Sequence, residues 1–235
     1  MRILMINSGV IGSTGNIMLD LAATARGAGH ECITACPAGK SMRREGLNDH
    51  IYIGNRLTRN VHLLLGKVTG YHGIFSVLST AVFLHKVKCF KPDVIHLHNL
   101  HDCYINLPIL FRYLKKHDVK VIWTLHDCWS FTGGCPHFVL KKCDKWKTGC
   151  GTCPSYKNYP ASCVDRSNGM WQLKKKWFTG VNNLTLVTPS EWLARLVRQS
   201  FLKEYPVEVI NNGIDLNVFK PTPSDLRTKI LGVNT

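Results

Sequence analysis

Two rhythms of apolar and polar positions alternate along the chain. Residues 2–6 form a short apolar run after Arg2, closed by Asn7, Ser8 and Gly9, the profile of a buried strand running into a glycine loop. From Asn16 to Ala28 the apolar residues Ile17, Leu21 and Ala25 recur at helical spacing, and Gly29 stops the pattern. Glu31 to Ala35 predicts a second strand, ended by Pro37 and Gly39. Strand, glycine loop, helix and strand make a βαβ unit, which requires a parallel pair. The unit repeats. A helix over about 74–90 leads through Lys91-Pro92-Asp93 into a strand over Val94–His98, and a helix over about 105–116 leads into a strand over Lys120–Leu125. A strand over Leu184–Val187, a helix capped by Ser190 and running to about Gln199, and a strand over Val207–Ile210 follow. Six or seven strands alternating with helices predict an α/β fold, a doubly wound parallel sheet.

Two segments break the rhythm. Residues 37–73 are basic and partly apolar without clear periodicity, and residues 126–165 hold six of the ten cysteines. Loops of such length inside a compact α/β domain carry function or a small structure of their own. Beyond Asn211 the chain turns polar and is punctuated by Pro221 and Pro223, as a linker would be. The expected organisation is one doubly wound domain over residues 1–214, with a Cys-rich insert over 128–163, and a linker-like stretch over 215–235.

Composition adds one unusual feature. Thirty Lys and Arg stand against fifteen Asp and Glu, a formal charge of +15 in 235 residues. Such a balance attracts polyanions: nucleic acid, anionic lipid head groups or phosphorylated small molecules. No helix-turn-helix, RNA-recognition or zinc-finger signature supports the first. No apolar stretch reaches the roughly 20 residues of a membrane-spanning helix, and the amino end lacks a signal-peptide core. A cytoplasmic location follows as the expectation, with thiols reduced, so the cysteines call for a reading other than a disulfide framework.

The first loop, Gly9-Val10-Ile11-Gly12-Ser13-Thr14-Gly15, lies between a strand and a helix, where glycines let a ligand approach the backbone and the helix amino end favours an anion. It is not G-x-G-x-x-G, and the second strand ends in Ala35-Cys36-Pro37 with no acid to hold a ribose, which counts against a nicotinamide or flavin enzyme. A tight turn without a ligand is the plain alternative. His96, His98 and His101 surround one strand end and His126 follows another. Because ligands of open parallel sheets bind outside the carboxyl ends of the strands, His98 and His126 are expected in a cleft and His96 in the core. Asp127 orients an imidazole or a substrate hydroxyl, or else caps a loop. Cys135, Cys143, Cys150 and Cys153 place four thiols within nineteen residues, two of them as C-x-x-C. That set fits structural zinc, with free thiols in a packed insert as the alternative. Basic residues cluster at Lys40, Arg43, Arg44, Arg56 and Arg59, at Lys141, Lys142, Lys145 and Lys147, and at Lys174-Lys175-Lys176. Each reads first as a solvated face. Val61 and Leu63-Leu64-Leu65 beside the first cluster give an amphipathic lip suited to a membrane surface.

Taken together, these residues resemble the N-terminal half of the retaining GT-B glycosyltransferase family 4. The resemblance covers most of the chain: the glycine loop, Leu21-Ala22 through Gly29-His30, Pro92-Asp93-Val94-Ile95-His96-Leu97-His98, Thr124-Leu125-His126-Asp127 and Thr188-Pro189-Ser190. Its most specific piece is Asn211 with Gly213-Ile214-Asp215, Phe219 and Pro221. The Cys-rich insert resembles a subgroup that builds bacterial exopolysaccharide, capsule or lipopolysaccharide. The resemblance implies transfer of a sugar from a nucleotide-sugar donor to a glycan or lipid-linked acceptor, with retention and without a metal for the chemistry. It makes His126 and Asp127 the catalytic candidates. Gly12, Ser13, Thr14, Gly15, Asn16, His98, Asn99, Ser190, Asn212 and Gly213 become the donor- and acceptor-binding candidates. The family's phosphate-binding Arg and Lys and its paired glutamates belong to a C-terminal domain absent from these residues, so the isolated chain is expected to be inactive. Two rival readings are a stand-alone module that binds a glycan or phosphorylated ligand, and a basic nucleic-acid-binding protein.

Overall fold

A computed structural model describes residues 1–39, 49–221 and 229–230. Strands β1 (Arg2–Ile6), β2 (Glu31–Pro37), β3 (His50–Ile53), β4 (Val94–Leu97), β5 (Lys120–Thr124), β6 (Leu184–Thr188) and β7 (Val207–Val209) form one sheet in the order β3-β2-β1-β4-β5-β6-β7. Every neighbouring pair is parallel. The strand order reverses between β1 and β4, so their carboxyl ends open a crevice at that switch point. Ile6 stands level with Leu97, and Leu97 with Trp123, so the loops after β1, β4 and β5 emerge side by side.

The helices are α1 (Ser13–Gly27), α2 (Arg56–Thr69), α3 (Val77–Phe90), α4 (Leu107–Lys116), α5 (Ser167–Phe178) and α6 (Glu191–Arg198). Because strand side chains alternate, β1 serves two cores. Ile3 and Met5 pack with Met18 and Ala22 of α1, whereas Leu4 and Ile6 join a larger core with Phe83 of α3, Phe111 of α4 and Trp123 of β5. Hydrophobic layers on both faces explain why parallel strands here read as nearly continuous apolar runs.

The predicted doubly wound sheet is therefore present, with seven strands among the described residues. Two elements differ from the expectation. The segment read as aperiodic contains β3 and α2. In α2 the apolar pattern is inverted: Leu57, Val61, Leu64 and Val68 face solvent, while the buried positions are His62 and Gly66. The helix is fixed at its ends instead. Asn55 and Thr58 form a reciprocal capping box, and Gly70 closes the carboxyl end in the left-handed conformation. The second is α5, which buries Met170, Trp171, Lys174 and Phe178. Lys174 is thus not part of a solvated basic face: it is 0% exposed.

Between β5 and α5 the Cys-rich insert contains three short 3-10 turns, Trp129–Phe131, Phe138–Lys141 and Lys145–Lys147. Trp146 is its centre, stacked on Phe138 at 4.8 Å and tilted against Phe131 at 5.3 Å. The insert is tied to the loop after α2 and to α2 itself, through a hydrogen bond of His72 Nε2 with Ser162 Oγ (2.8 Å) and donation from Cys163 N to the Lys67 carbonyl (2.7 Å). Among the described residues no helix is long and apolar enough to cross a membrane.

Candidate functional site

The switch-point crevice is organised by Asn7, a fully buried residue at the end of β1. Its Oδ1 accepts from Asn99 N (3.1 Å), while its Nδ2 donates to the Gly9 carbonyl (2.8 Å) and reaches Thr14 Oγ1 (3.4 Å). One amide thus joins the glycine loop, the first turn of α1 and the loop after β4. Gly12 precedes α1 at φ 84°, in the left-handed region that favours glycine. A Cβ at Gly15 would lie 2.5 Å from the Val10 carbonyl carbon, so only glycine lets the loop close against the helix. No side chain caps the amino end of α1 and no acid stands in its first turn, which leaves that end electropositive. Gly12, Ser13, Thr14, Gly15 and Asn16 therefore share one rim of the crevice with Asn99.

Histidines line the other rim. His98 Nδ1 and His126 Nε2 are hydrogen-bonded at 3.1 Å with their rings stacked, joining the loops after β4 and β5. His96, two residues deeper, bonds Thr124 Oγ1 (2.8 Å) and is half-buried, whereas His98, expected in the cleft, is the buried one at 1% exposed. Burial lowers the basicity of all three: His96 falls to about 4, and His98 drops well below its ordinary value, helped by its histidine neighbours. His126 is lowered by burial and by the charge of His101, against the opposing pull of Asp127. The His98–His126 pair is accordingly neutral near pH 7, one imidazole donating to the other. His98 Nε2 is buried with no hydrogen-bond partner among the described residues.

Beside this neutral pair stands a charged group in which His101 and Asp127, both read in the sequence, are joined by Asp102 and Tyr159, which were not. His101 Nδ1 lies 3.4 Å from Asp102 Oδ1, and His101 Nε2 lies 3.3 Å from Asp127 Oδ2, close enough to pair but outside hydrogen-bond alignment. Tyr159, from the insert, completes the cluster: its hydroxyl is 2.9 Å from His101 Nδ1 and donates to Asp102. Burial alone would lower the His101 pKa, but the two carboxylates overcome it and raise the value to about 9. Burial pushes Asp102 and Asp127 the other way, yet the adjacent His101 imidazolium holds both below the ordinary carboxylate value. Asp127 also accepts from Trp129 N (2.8 Å), so it caps the turn and pairs with an imidazolium at once. A cavity of about 260 Å³ opens next to the cluster, bordered by Leu63 and Lys67 of α2, Leu100, His101, Asp102, Trp129 and Tyr159 among others.

Other candidates fall elsewhere. Ser190 Oγ caps α6 by accepting from Leu193 N (3.3 Å), and Asn212 and Gly213 are exposed beyond β7 at the far end of the sheet. Lys40, Arg43 and Arg44 lie outside the described residues. All ten cysteines are free thiols, and Cys135, Cys143 and Cys150 pack against the main core. Asn7, Asp102 and Tyr159 were not read as site residues in the sequence, and Lys174 was read as part of a solvated face although it is buried. Asn7 had a usable signal, a polar residue ending a buried strand at a glycine loop; Tyr159 had none, being 57 residues from Asp102.

Comparisons with known proteins bear on the same region. A curated relative from Escherichia coli (strain K12), named as a colanic acid biosynthesis glycosyl transferase, WcaC, is 37% identical over 132 residues. That match covers 53% of this chain and 32% of the relative, so the chain spans about a third of its length. Among solved structures, the glycosyltransferase VinC in complex with dTDP aligns at 14% identity and a TM-score of 0.41, covering 80% of this chain and 49% of that one. An L-threonine 3-dehydrogenase from Trypanosoma brucei gives 16% identity and the same TM-score of 0.41, covering 80% and 52%. Those two scores are too low to argue from. The model of Glycosyltransferase Family 4, by contrast, matches residues 14–218, from the glycine loop to beyond β7. The chain belongs to glycosyltransferase family 4.

Proposed function

We propose that this chain is the acceptor-side, Rossmann-like domain of a retaining GT-B glycosyltransferase, which moves a hexose-type sugar from a nucleotide-sugar donor onto a glycan or lipid-linked acceptor in surface polysaccharide synthesis. In this reading residues 1–214 form that domain and residues 215–235 are the connection to the donor-binding part. The observation that carries it is the meeting of an open, electropositive helix end with a neutral imidazole pair in one switch-point crevice. The amide groups at Gly12, Ser13, Thr14 and Gly15 face the donor's phosphates and sugar, with Asn16, His98 and Asn99 completing the wall. His126 stands against the donor sugar, and its imidazole stabilises the oxocarbenium-like transition state as the nucleotide leaves. Asp127 holds His101 as a cation near that centre. The chemistry asks for no metal ion in this domain.

The acceptor approaches from the side of α2. Its outward stripe of Leu57, Val61, Leu64 and Val68, flanked by Arg56 and Lys67, suits the cytoplasmic face of an anionic bilayer, where a lipid-linked acceptor resides. The test is to incubate the full-length enzyme with a panel of nucleotide sugars and lipid-linked acceptors, and to determine the new linkage by mass spectrometry and NMR. Transfer with the donor's anomeric configuration supports the reading. Absence of transfer across the panel, or inversion, refutes it.

A further inference from the structure

The Cys-rich insert holds a feature that sugar transfer does not use. Cys135, Cys150 and Cys153 border one small cavity of about 40 Å³, together with Gly133, Gly134, Ser155 and Ser167 among others. Cys143 does not border that cavity but packs against the same core as Cys135 and Cys150, and the four are separated by up to eighteen positions of the chain.

Burial raises the pKa of Cys135, Cys150 and Cys153, Cys150 to about 11, but backbone amides oppose that effect at two of the sulfurs. Gly133 N donates to Cys150 Sγ at 3.2 Å, and Ser155 N donates to Cys153 Sγ at 3.4 Å. An amide donor favours the anionic form of sulfur, and a neutral thiol gains little from it. The closest approach has a steric condition: a Cβ on Gly133 would fall 2.2 Å from the Ser167 carbonyl oxygen and 3.0 Å from Cys150 Cβ. Two cations attend the cluster. The ammonium of Lys174 is 0% exposed, donates to the Trp129 and Thr132 carbonyls, and acts on Cys150 and Cys135. Lys145 Nζ, bonded to the Gly151 and Thr152 carbonyls at 3.1 Å each, acts on Cys153.

We propose that Cys135, Cys143, Cys150 and Cys153 bind one zinc ion that staples the insert. Four thiols release four protons on binding Zn²⁺, leaving a tetrathiolate centre of net charge −2, which Lys174 and Lys145 balance. Among the described residues no group of three or more His, Cys, Asp or Glu is already gathered to hold a metal ion. Binding therefore includes closure: the ion draws Cys143 toward the cavity that the other three border. Zinc suits such a step because it imposes no d-electron geometry and accepts a tetrahedral sulfur set. The insert has reason to need the staple, since it lacks strands and its own core is little more than Phe131, Phe138 and Trp146.

The test uses the chain as it stands, purified without added metal or chelator. Elemental analysis and native mass spectrometry are expected to give about one zinc per chain. Replacement by Co²⁺ should produce the visible absorption of a tetrahedral thiolate site. Cys143→Ser and Cys150→Ser should lower the stoichiometry several-fold, whereas Cys89→Ser and Cys163→Ser, at exposed thiols, should leave it unchanged. Wild type settles the matter even where a variant fails to fold. Metal-free native protein that fails to take up Zn²⁺, with its four thiols alkylated at the rate of Cys89 or joined as disulfides, would overturn the proposal.

Discussion

His98 Nδ1 and His126 Nε2 face each other at 3.1 Å across the ends of β4 and β5, and both rings are held neutral by burial. A neutral pair has a direction. If His126 Nε2 accepts the hydrogen bond from His98 Nδ1–H, the hydrogen of His126 sits on its Nδ1 and can donate to a sugar oxygen. In the opposite tautomer the buried His98 Nε2 becomes the donor. Only the first arrangement turns a donor outward from the partly exposed His126, without adding charge, while the nearby cation of His101 supplies the field.

The first prediction concerns His126. Replacing it by Ala in the full-length enzyme should reduce kcat by about 10²–10⁴-fold, the range for a group acting on developing charge. The donor KM should move much less. A kcat within a few-fold of wild type would return His126 to a packing role.

A second prediction follows from His101. Its folded pKa of about 9 lies above the ordinary 6.5, so its stabilising contribution is complete below about 6.5 and lost as pH rises through 9. His62, His72 and His96 are lowered by burial to about 4, so their contribution is complete above 6.5 and lost as pH falls toward 4. Stability should therefore peak near neutrality and decline on both sides. Thermal melts from pH 5 to pH 9.5 test this. His101→Gln should flatten the alkaline decline and leave the acid one; an unchanged alkaline slope would show that His101 is not the group responsible.

Lys174 gives the third. Its ammonium sits 3.6 Å from the centre of the Trp129 ring and donates to two carbonyls in a dry interior. Burial, the largest influence, lowers its pKa to about 7 despite nearby Cys150 and Asp127. Lys174→Ala leaves two buried acceptors unpaired and opens a cavity, so a loss of about 2–4 kcal/mol is expected in urea unfolding. Lys175→Ala, at an exposed neighbour, should change stability by less than about 0.5 kcal/mol. Equal effects would mean that burial at 174 has been misread.

How much of this was legible in the sequence depended on whether local pattern and tertiary role agreed. The strands of the sheet announced themselves because burial on both faces leaves nearly continuous apolar runs. Topology placed His98 and His126 just past their strands, at the carboxyl edge of the sheet, but it did not show that His98 is buried and only His126 is partly exposed. Two kinds of element stayed hidden. In α2 the apolar residues point outward, so no inward-facing pattern marked the helix and the segment read as aperiodic; only Asn55, Thr58 and Gly70 mark its ends. Lys174 looked like its two neighbours because sequence carries no sign of which lysine in a run of three turns inward. The His101–Asp102–Tyr159 cluster depends on a fold of the insert that joins positions 57 residues apart, which no spacing rule reaches.

The outward stripe of α2 yields the last prediction. Leu57, Val61, Leu64 and Val68 follow one another by four, three and four positions, the spacing of a single helix face, and are 71%, 46%, 60% and 52% exposed. Water is a poor neighbour for such a row, so something apolar is expected to cover it. Arg56 and Lys67 are exposed on the same helix and Arg59 is half-buried, which favours an anionic bilayer over a neutral partner. Each cation near such a surface contributes about 1 kcal/mol, and the aliphatic residues add their transfer from water. Wild-type protein should sediment with vesicles containing anionic lipid at low salt, and keep part of that binding at high salt through the apolar stripe. Val61→Asp with Leu64→Asp should remove the salt-resistant part; Arg56→Glu with Lys67→Glu should remove the salt-sensitive part. Neither pair touches a buried position, so circular dichroism should stay unchanged in both. If wild type ignores anionic vesicles at low salt, the stripe serves a protein partner and the membrane reading fails.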